Sequence, residues 1–201
     1  MRSRLPPALA LALAVLLLPA CIAPPRPAPV QALLLDTLPA SVPQAPPGVH
    51  ALLVRRPEAR PLLDTQRMAY RDAAHQVGHF GLHRWAETPA QMLQPLLVRT
   101  LERTGHFPAV LQAPAAAPAR YVLRTELQEL LQDHSVSPPV LRLALHMQLS
   151  DAGAGRVLVT REITRTRPLR QPTPVAGVAA ANEALADALA DLAGAVLAAT
   201  P

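Results

Sequence analysis

The 201-residue chain contains no lysine, so its 19 basic side chains are all arginine. Cysteine occurs once, at Cys21, which excludes an intramolecular disulfide. Aromatics are scarce: one Trp, two Tyr and two Phe, leaving Leu, Val and Ala to build the core. Removing Arg2 and Arg4 with the leader described below leaves 17 arginines against 14 acids, a mature charge of +3. That is too small and too scattered for a nucleic-acid footprint. Abundant Ala, Pro and Arg without Lys reflects GC-rich coding and not a mechanism.

Catalytic signatures are also missing. The chain has no Gly-x-Ser-x-Gly elbow, no glycine-rich phosphate loop and no His-Glu-x-x-His. Its acids are scattered, with no local pair spaced for acid–base work. Ser135 and Ser137 lie beside His134 in a loop, but adjacency in sequence does not make a triad. His75, His79 and His83 are four apart and on a helix would share a face able to ligate a metal. The glycines between them read as strand instead, where neighbours four apart stand about 13 Å apart and the outer two about 26 Å. The expectation is a non-enzyme with no cofactor and no metal.

What the sequence does contain begins at the amino terminus. Arg2 and Arg4 precede an apolar run from Leu5 to Leu18, 14 residues long. A hydrocarbon core needs about 20 residues to be crossed by a helix, so a secretion signal is the better reading. Leu18-Pro19-Ala20-Cys21 resembles a lipobox, with a branched apolar residue at −3, a small residue at −1 and cysteine at the junction. The chemistry requires cysteine because a thiol takes the diacylglyceryl group, and cleavage before Cys21 exposes an amine for acylation. Two or three acyl chains anchor stably where one anchors marginally. Ile22 follows; an Asp there would resemble the inner-membrane retention signal of enteric bacteria, so Ile22 points to the periplasmic face of the outer membrane.

Residues 1–20 therefore form the signal peptide, 21–29 a Pro-rich tether and 30–201 one domain, large enough for a proper core. Within it, strands are expected at Val30–Leu38, Val49–Arg55, Thr65–Arg71 and Gln76–Glu87, with a proline-rich loop at Pro39–Gly48 and a turn at Arg60–Asp64. Thr88-Pro89-Ala90-Gln91 is a capping box with proline at N1. Leu93, Leu97, Thr100, Leu101 and Thr104 follow at helical spacing, and Gly105 suits C′. Pro95 inside this helix has no reason in the sequence. Further strands are expected at His106–Gln112, from Tyr121 to Leu127, at Leu141–Leu149 and at Arg156–Arg167, the last two joined by a hairpin at Asp151–Gly155. A closing helix is expected over Val178–Ala199, its apolar stripe formed by Leu185, Leu189, Leu192 and Val196. The order ββββαββββα is that of an α+β domain, a mostly antiparallel sheet with two helices on one face. Glu183, Asp187 and Asp191 read as a solvated acidic face of the last helix, with docking of a basic partner as the sharper alternative. Arg161, Arg165, Arg167 and Arg170 read as charges protecting an exposed edge strand.

Leu63-Asp64, Arg67-Met68-Ala69-Tyr70, Arg84-Trp85-Ala86-Glu87-Thr88-Pro89 and Met92-Leu93, with Leu101, Gly105 and Phe107 after them, resemble the central signature of the ABC-type transport auxiliary lipoproteins. This is the family of the paraquat-inducible intermembrane transport lipoprotein. Tyr121-Val122-Leu123 and the Ala/Leu-rich closing helix with Asn182 are similar too. His79-Phe80 replaces the family's usual tyrosines, and Pro95 is a further departure. The resemblance implies a non-enzymatic outer-membrane component of an MCE-type ABC system that docks an MCE-domain protein and helps pass lipid between membranes. It is compatible with a homo-oligomeric ring, since open sheet edges can extend between copies. The alternative from another class is a structural lipoprotein of envelope assembly without a transporter. Asp64, Tyr70, Arg84, Trp85, Pro89, Gly105 and Tyr121 are the signature positions, and each can serve folding as well as function.

Overall fold

The computed structural model describes residues 28–200, so the leader, the lipobox and Cys21 lie outside the described residues. The strands are β1 Gln31–Leu33, β2 Leu52–Val54, β3 Glu58–Ala59, β4 Arg67–Arg71 and β5 Gly78–Trp85. Helix α1 Pro89–Glu102 comes next, then β6 Val110–Gln112, β7 Tyr121–Asp133, β8 Val140–Asp151, β9 Arg156–Pro168 and helix α2 Pro174–Ala199. The expected α+β order holds, with the two-residue β3 added before the first helix.

The sheet is organised by β7. One edge of β7 pairs antiparallel with β8 along its whole length, and β8 pairs antiparallel with β9. Hairpins supply these long ladders, as short connections allow only antiparallel neighbours. The other edge of β7 is tiled by three short parallel strands: β2 against Tyr121–Leu123, β3 against Glu126 and Leu127, and β4 against Gln132 and Asp133. β6 lies outside β2, while β5 lies outside β4 and β1 outside β5. The sheet is thus mixed, its longest ladders antiparallel.

β7 runs six residues beyond Leu127, further than its alternation suggests, because a bulge lies between Leu127 and Glu129. The extra residue shifts the inside–outside period by one, and beyond it Leu130, Leu131, Gln132 and Asp133 are buried on both faces, a row that looks unlike a half-exposed strand. The reverse holds at the start: only Gln31–Leu33 of Val30–Leu38 forms a ladder. Asn182 on α2 takes over the backbone beyond it, donating to the Leu34 carbonyl and accepting from the Asp36 and Thr37 N–H groups.

Both helices cover one face of the sheet. In α1 the capping box forms as expected, Thr88 accepting from the Gln91 N–H while the Gln91 side chain accepts from the Thr88 N–H. Leu93, Leu97, Thr100, Leu101 and Thr104 are all buried. Pro95 lies on the exposed stripe with Gln91 and Arg99. There the Gln91 carbonyl left without an N–H partner by Pro95 can meet water, which offsets the lost hydrogen bond. α2 starts at Pro174 rather than Val178, because Thr173 caps it by accepting from the Ala176 N–H and Pro174 sits in its first turn. Leu189, Leu192 and Val196 reach 0% exposure against Leu123, Leu145, Met147 and Leu149 of the same core, also at 0%. Each such side chain contributes about 1.5–3 kcal/mol of transfer free energy. The alanines Ala181, Ala184, Ala188 and Ala193 let the helix approach closely. No described helix is long and apolar enough to cross a membrane.

Candidate functional site

The signature residues divide into buried and exposed sets. Trp85 is 4% exposed in the core at the end of β5, and its backbone N–H donates to the Gln66 carbonyl at 2.7 Å. Tyr121 is 3% exposed at the start of β7, edge-on to His50 and Phe107, with the Arg120 guanidinium over its ring. Pro89 is buried at the start of α1. Tyr70 packs on Phe80 with ring centroids 4.8 Å apart and lies over Gly78, where a Cβ would come within 2.5 Å of its ring. Gly105 has φ +68°, the left-handed conformation expected past a helix end. It falls one position later than C′, because Arg103 is the C-cap. Asp64 is exposed and closes a turn, its N–H donating to the Arg60 carbonyl. Arg84 is exposed and stands directly opposite Arg67 in the β4–β5 ladder, with no ion pair among the described residues. These positions do not converge on one pocket.

The acidic and basic runs do converge. Arg165 pairs with Asp191, Arg167 with Asp187 and Arg170 with Glu183. Four residues of helix rise about 6 Å and two residues of strand about 6.6 Å, so Asp191 and Asp187 on α2 meet Arg165 and Arg167 on β9 nearly in step, and Arg170, just past the strand, meets Glu183. The stripe is therefore neither a purely solvated face nor a free docking face. It clips the closing helix to the last strand. Arg161 has no ion pair among the described residues.

A second charged cluster caps the far end of β7. The Asp133 side chain, 1% exposed, accepts from Arg142 Nε at 2.7 Å and from the Ser135 N–H and hydroxyl, with Arg71 at 3.6 Å. Burial alone raises its pKa; the hydrogen bonds from Ser135 and Arg142 and the Arg142 charge outweigh that and hold it below the usual carboxylate value. Ser135 is thus engaged by an acid, not by His134, whose ring stands edge-on to Tyr70 and Phe80. At the other end Asp151 is held below its ordinary range by the hydrogen bond from Arg120 and by the Ala154 N–H.

His79 and His83 lie on β5, while His75 sits in the preceding turn with φ 64°. Burial and then Arg67 lower the pKa of His79. No three His, Cys, Asp or Glu side chains among the described residues are grouped to hold a metal ion.

Two of the cavities differ in character. An open cleft of about 310 Å³ is lined by Arg60, Leu62, Leu63, Arg71, Val77 and Glu129, among others. Its arginines and carboxylates face each other, so it carries no strong field of one sign. The apolar cavity between helices and sheet, bounded by Leu35, Leu93, Leu130, Leu143 and Leu185, is about 10 Å³. That is room for about one water, not for an acyl chain.

Protein XCC0632 from Xanthomonas campestris, of family DUF330, matches with a TM-score of 0.73 and 25% identity over 86% of this chain and 96% of its own. The crystal structure of an uncharacterized protein matches with a TM-score of 0.63 and 15% identity over 80% of this chain and 99% of that one, which shows a shared fold. No curated protein matches the chain. The family model described as the ABC-type transport auxiliary lipoprotein component matches residues 33–193, β1 through most of α2. On that match, the chain belongs to the ABC-type transport auxiliary lipoprotein family.

Proposed function

We propose that the protein is anchored through acylated Cys21 on the periplasmic face of the outer membrane. There it serves as the docking subunit of an MCE/ABC-type system that moves lipid between membranes. The observation that carries this reading is a family match spanning nearly the whole described body, downstream of the Leu18-Pro19-Ala20-Cys21 lipobox. The packed interior supports docking over carriage, since about 10 Å³ between helices and sheet cannot hold a lipid tail. The body acts without catalysis: its Ser135 is engaged by Asp133, and ATP hydrolysis belongs to another subunit.

The test is affinity purification of the native protein from envelope extracts. Recovery of an MCE-domain protein with its permease and ATPase is expected. Recovery of a secretin or porin alone replaces this reading with envelope assembly. Anchoring has its own test. Cys21→Ala is expected to accumulate unprocessed precursor without fatty acid, and normal processing with acylation would overturn the lipid anchor.

A further inference from the structure

We infer that the outer face of β1, β5 and β4 is a bilayer-contact surface that lays the body against anionic lipid headgroups. The inference rests on the proposed anchor at Cys21. Val30, Leu34 and Leu82 are 52%, 51% and 48% exposed, three of the larger apolar side chains left open to solvent. The parallel register Gln31↔His83 and Ala32↔Arg84 sets Val30 beside Leu82. Trp85 turns inward, so Arg84, one residue before it, turns outward together with Ala32.

The ladder between β4 and β5 explains why Leu82 protrudes. Arg67 faces Arg84 and Ala69 faces His79, so β5 takes five steps where β4 takes two. The surplus lies between His79 and Arg84, a stretch in which a Cβ on Gly81 would meet nothing within 4 Å. Leu82 in this stretch leaves about half of its surface outside the packing of the fold. The same register sets Arg67 directly opposite Arg84, an unfavourable pairing of like charges. Both are exposed, and neither forms an ion pair among the described residues. The nearest acids along the chain, Asp64 and Glu87, each lie three residues from one of these arginines, and neither forms an ion pair with it among the described residues. Apolar tips beside uncompensated arginines match a bilayer interface that offers acyl chains and anionic headgroups together.

Chain length decides the occupant. Residue 28, where the described body begins, is seven residues beyond Cys21 and two before Val30. Seven residues span about 22 Å as polyproline and no more than about 25 Å at full extension. The acyl chains therefore hold the face from which the tether emerges within reach of the bilayer.

The test uses the acylated protein in vesicles. Because Cys21 is the only cysteine and is blocked by its glyceride, Leu82→Cys introduces a single free thiol for an environment-sensitive fluorophore. Ala154→Cys in the β8–β9 hairpin is the control. In phosphatidylcholine vesicles with about a quarter phosphatidylglycerol, the label at position 82 is expected to shift to the blue and be quenched by brominated lipid, while the label at 154 is not. Equal behaviour at the two positions, or a response at 82 only after a partner protein is added, would overturn the surface. The mature chain carrying Cys21→Ser separates this claim from the anchor. It should bind the same vesicles weakly, and Arg67→Gln/Arg84→Gln should weaken that binding roughly thirtyfold, from about 1 kcal/mol per arginine at an anionic surface. Binding unchanged by the pair, with folding intact by circular dichroism, also overturns it. Failure of the anchor alone appears as missing lipid mass on Cys21 and leaves the vesicle result standing.

Discussion

The Asp133 carboxylate is buried at the end of β7 and shared by Arg142, Arg71 and Ser135. Asp133→Asn leaves two arginines facing a neutral amide and should lower unfolding stability by about 1–2 kcal/mol at neutral pH, less than for a fully buried pair because the arginines are partly solvated. The sign with pH follows from the depressed folded pKa. This contribution is present above the unfolded carboxylate pKa of about 3.9 and disappears as pH falls through the lower folded value. Urea midpoints of the two proteins should therefore differ at pH 7 and converge on acidification below about pH 4. A difference that persists unchanged at low pH would mean that Asp133 acts by shape and not by charge. Gly177 makes a second residue-scale case. A Cβ there would fall within 2.0 Å of the buried Gln132 amide, whose nitrogen donates to the Pro174 carbonyl. Gly177→Ala should therefore forfeit the gain of about 1 kcal/mol expected for alanine in a helix. Gln132→Ala should restore part of it, a non-additivity that a double-mutant cycle measures.

Among the elements, α1 was legible almost to the residue, because Thr88-Pro89-Ala90-Gln91 is a local device whose bonds close within one turn. Thr88→Ala should cost about 1 kcal/mol, read as a lower thermal midpoint. The start of α2 carries the same Thr-Pro pair at Thr173-Pro174, and the apolar stripe beginning four residues later concealed it. The clip between α2 and β9 was half legible. Each run of charge stood out along the chain, yet their partnership depends on a helix crossing a strand in opposite direction. Arg167→Glu should cost about 0.5–1 kcal/mol, since the Asp187 partner is half exposed. Pairing it with Asp187→Arg should recover most of that loss. If the charge swap recovers nothing in urea unfolding, the two side chains do not interact in solution.

For the whole molecule, the described body is a scaffold more than a container. The cleft lined by Arg60, Arg71 and Glu129 is open and charge-balanced, and the space between helices and sheet is filled. A body of this kind works by where it is held and what it touches. The proposed function therefore turns on the anchor and on partner recovery, and the bilayer-contact face on a label at position 82. Elution of the native protein in high salt should leave an acylated anchor in the membrane, because acyl burial is insensitive to screening. Release into the soluble fraction would count against the anchor.

The sequence alone determined what short-range physics controls: the capped first helix, the strict alternation of Leu141 to Leu149, the hairpin after it and the α+β order. Its resemblance to the auxiliary lipoproteins was borne out by the family match over residues 33–193. Only the tertiary structure decided which strand meets which, because a bulge at Gln128 and the surplus residues between His79 and Arg84 change register without altering composition. It also decided that the acids of α2 belong to the arginines of β9, and that Arg84 stands uncompensated beside Arg67. Charges, unlike caps and turns, take their meaning from neighbours distant along the chain, and only folding brings those neighbours within reach.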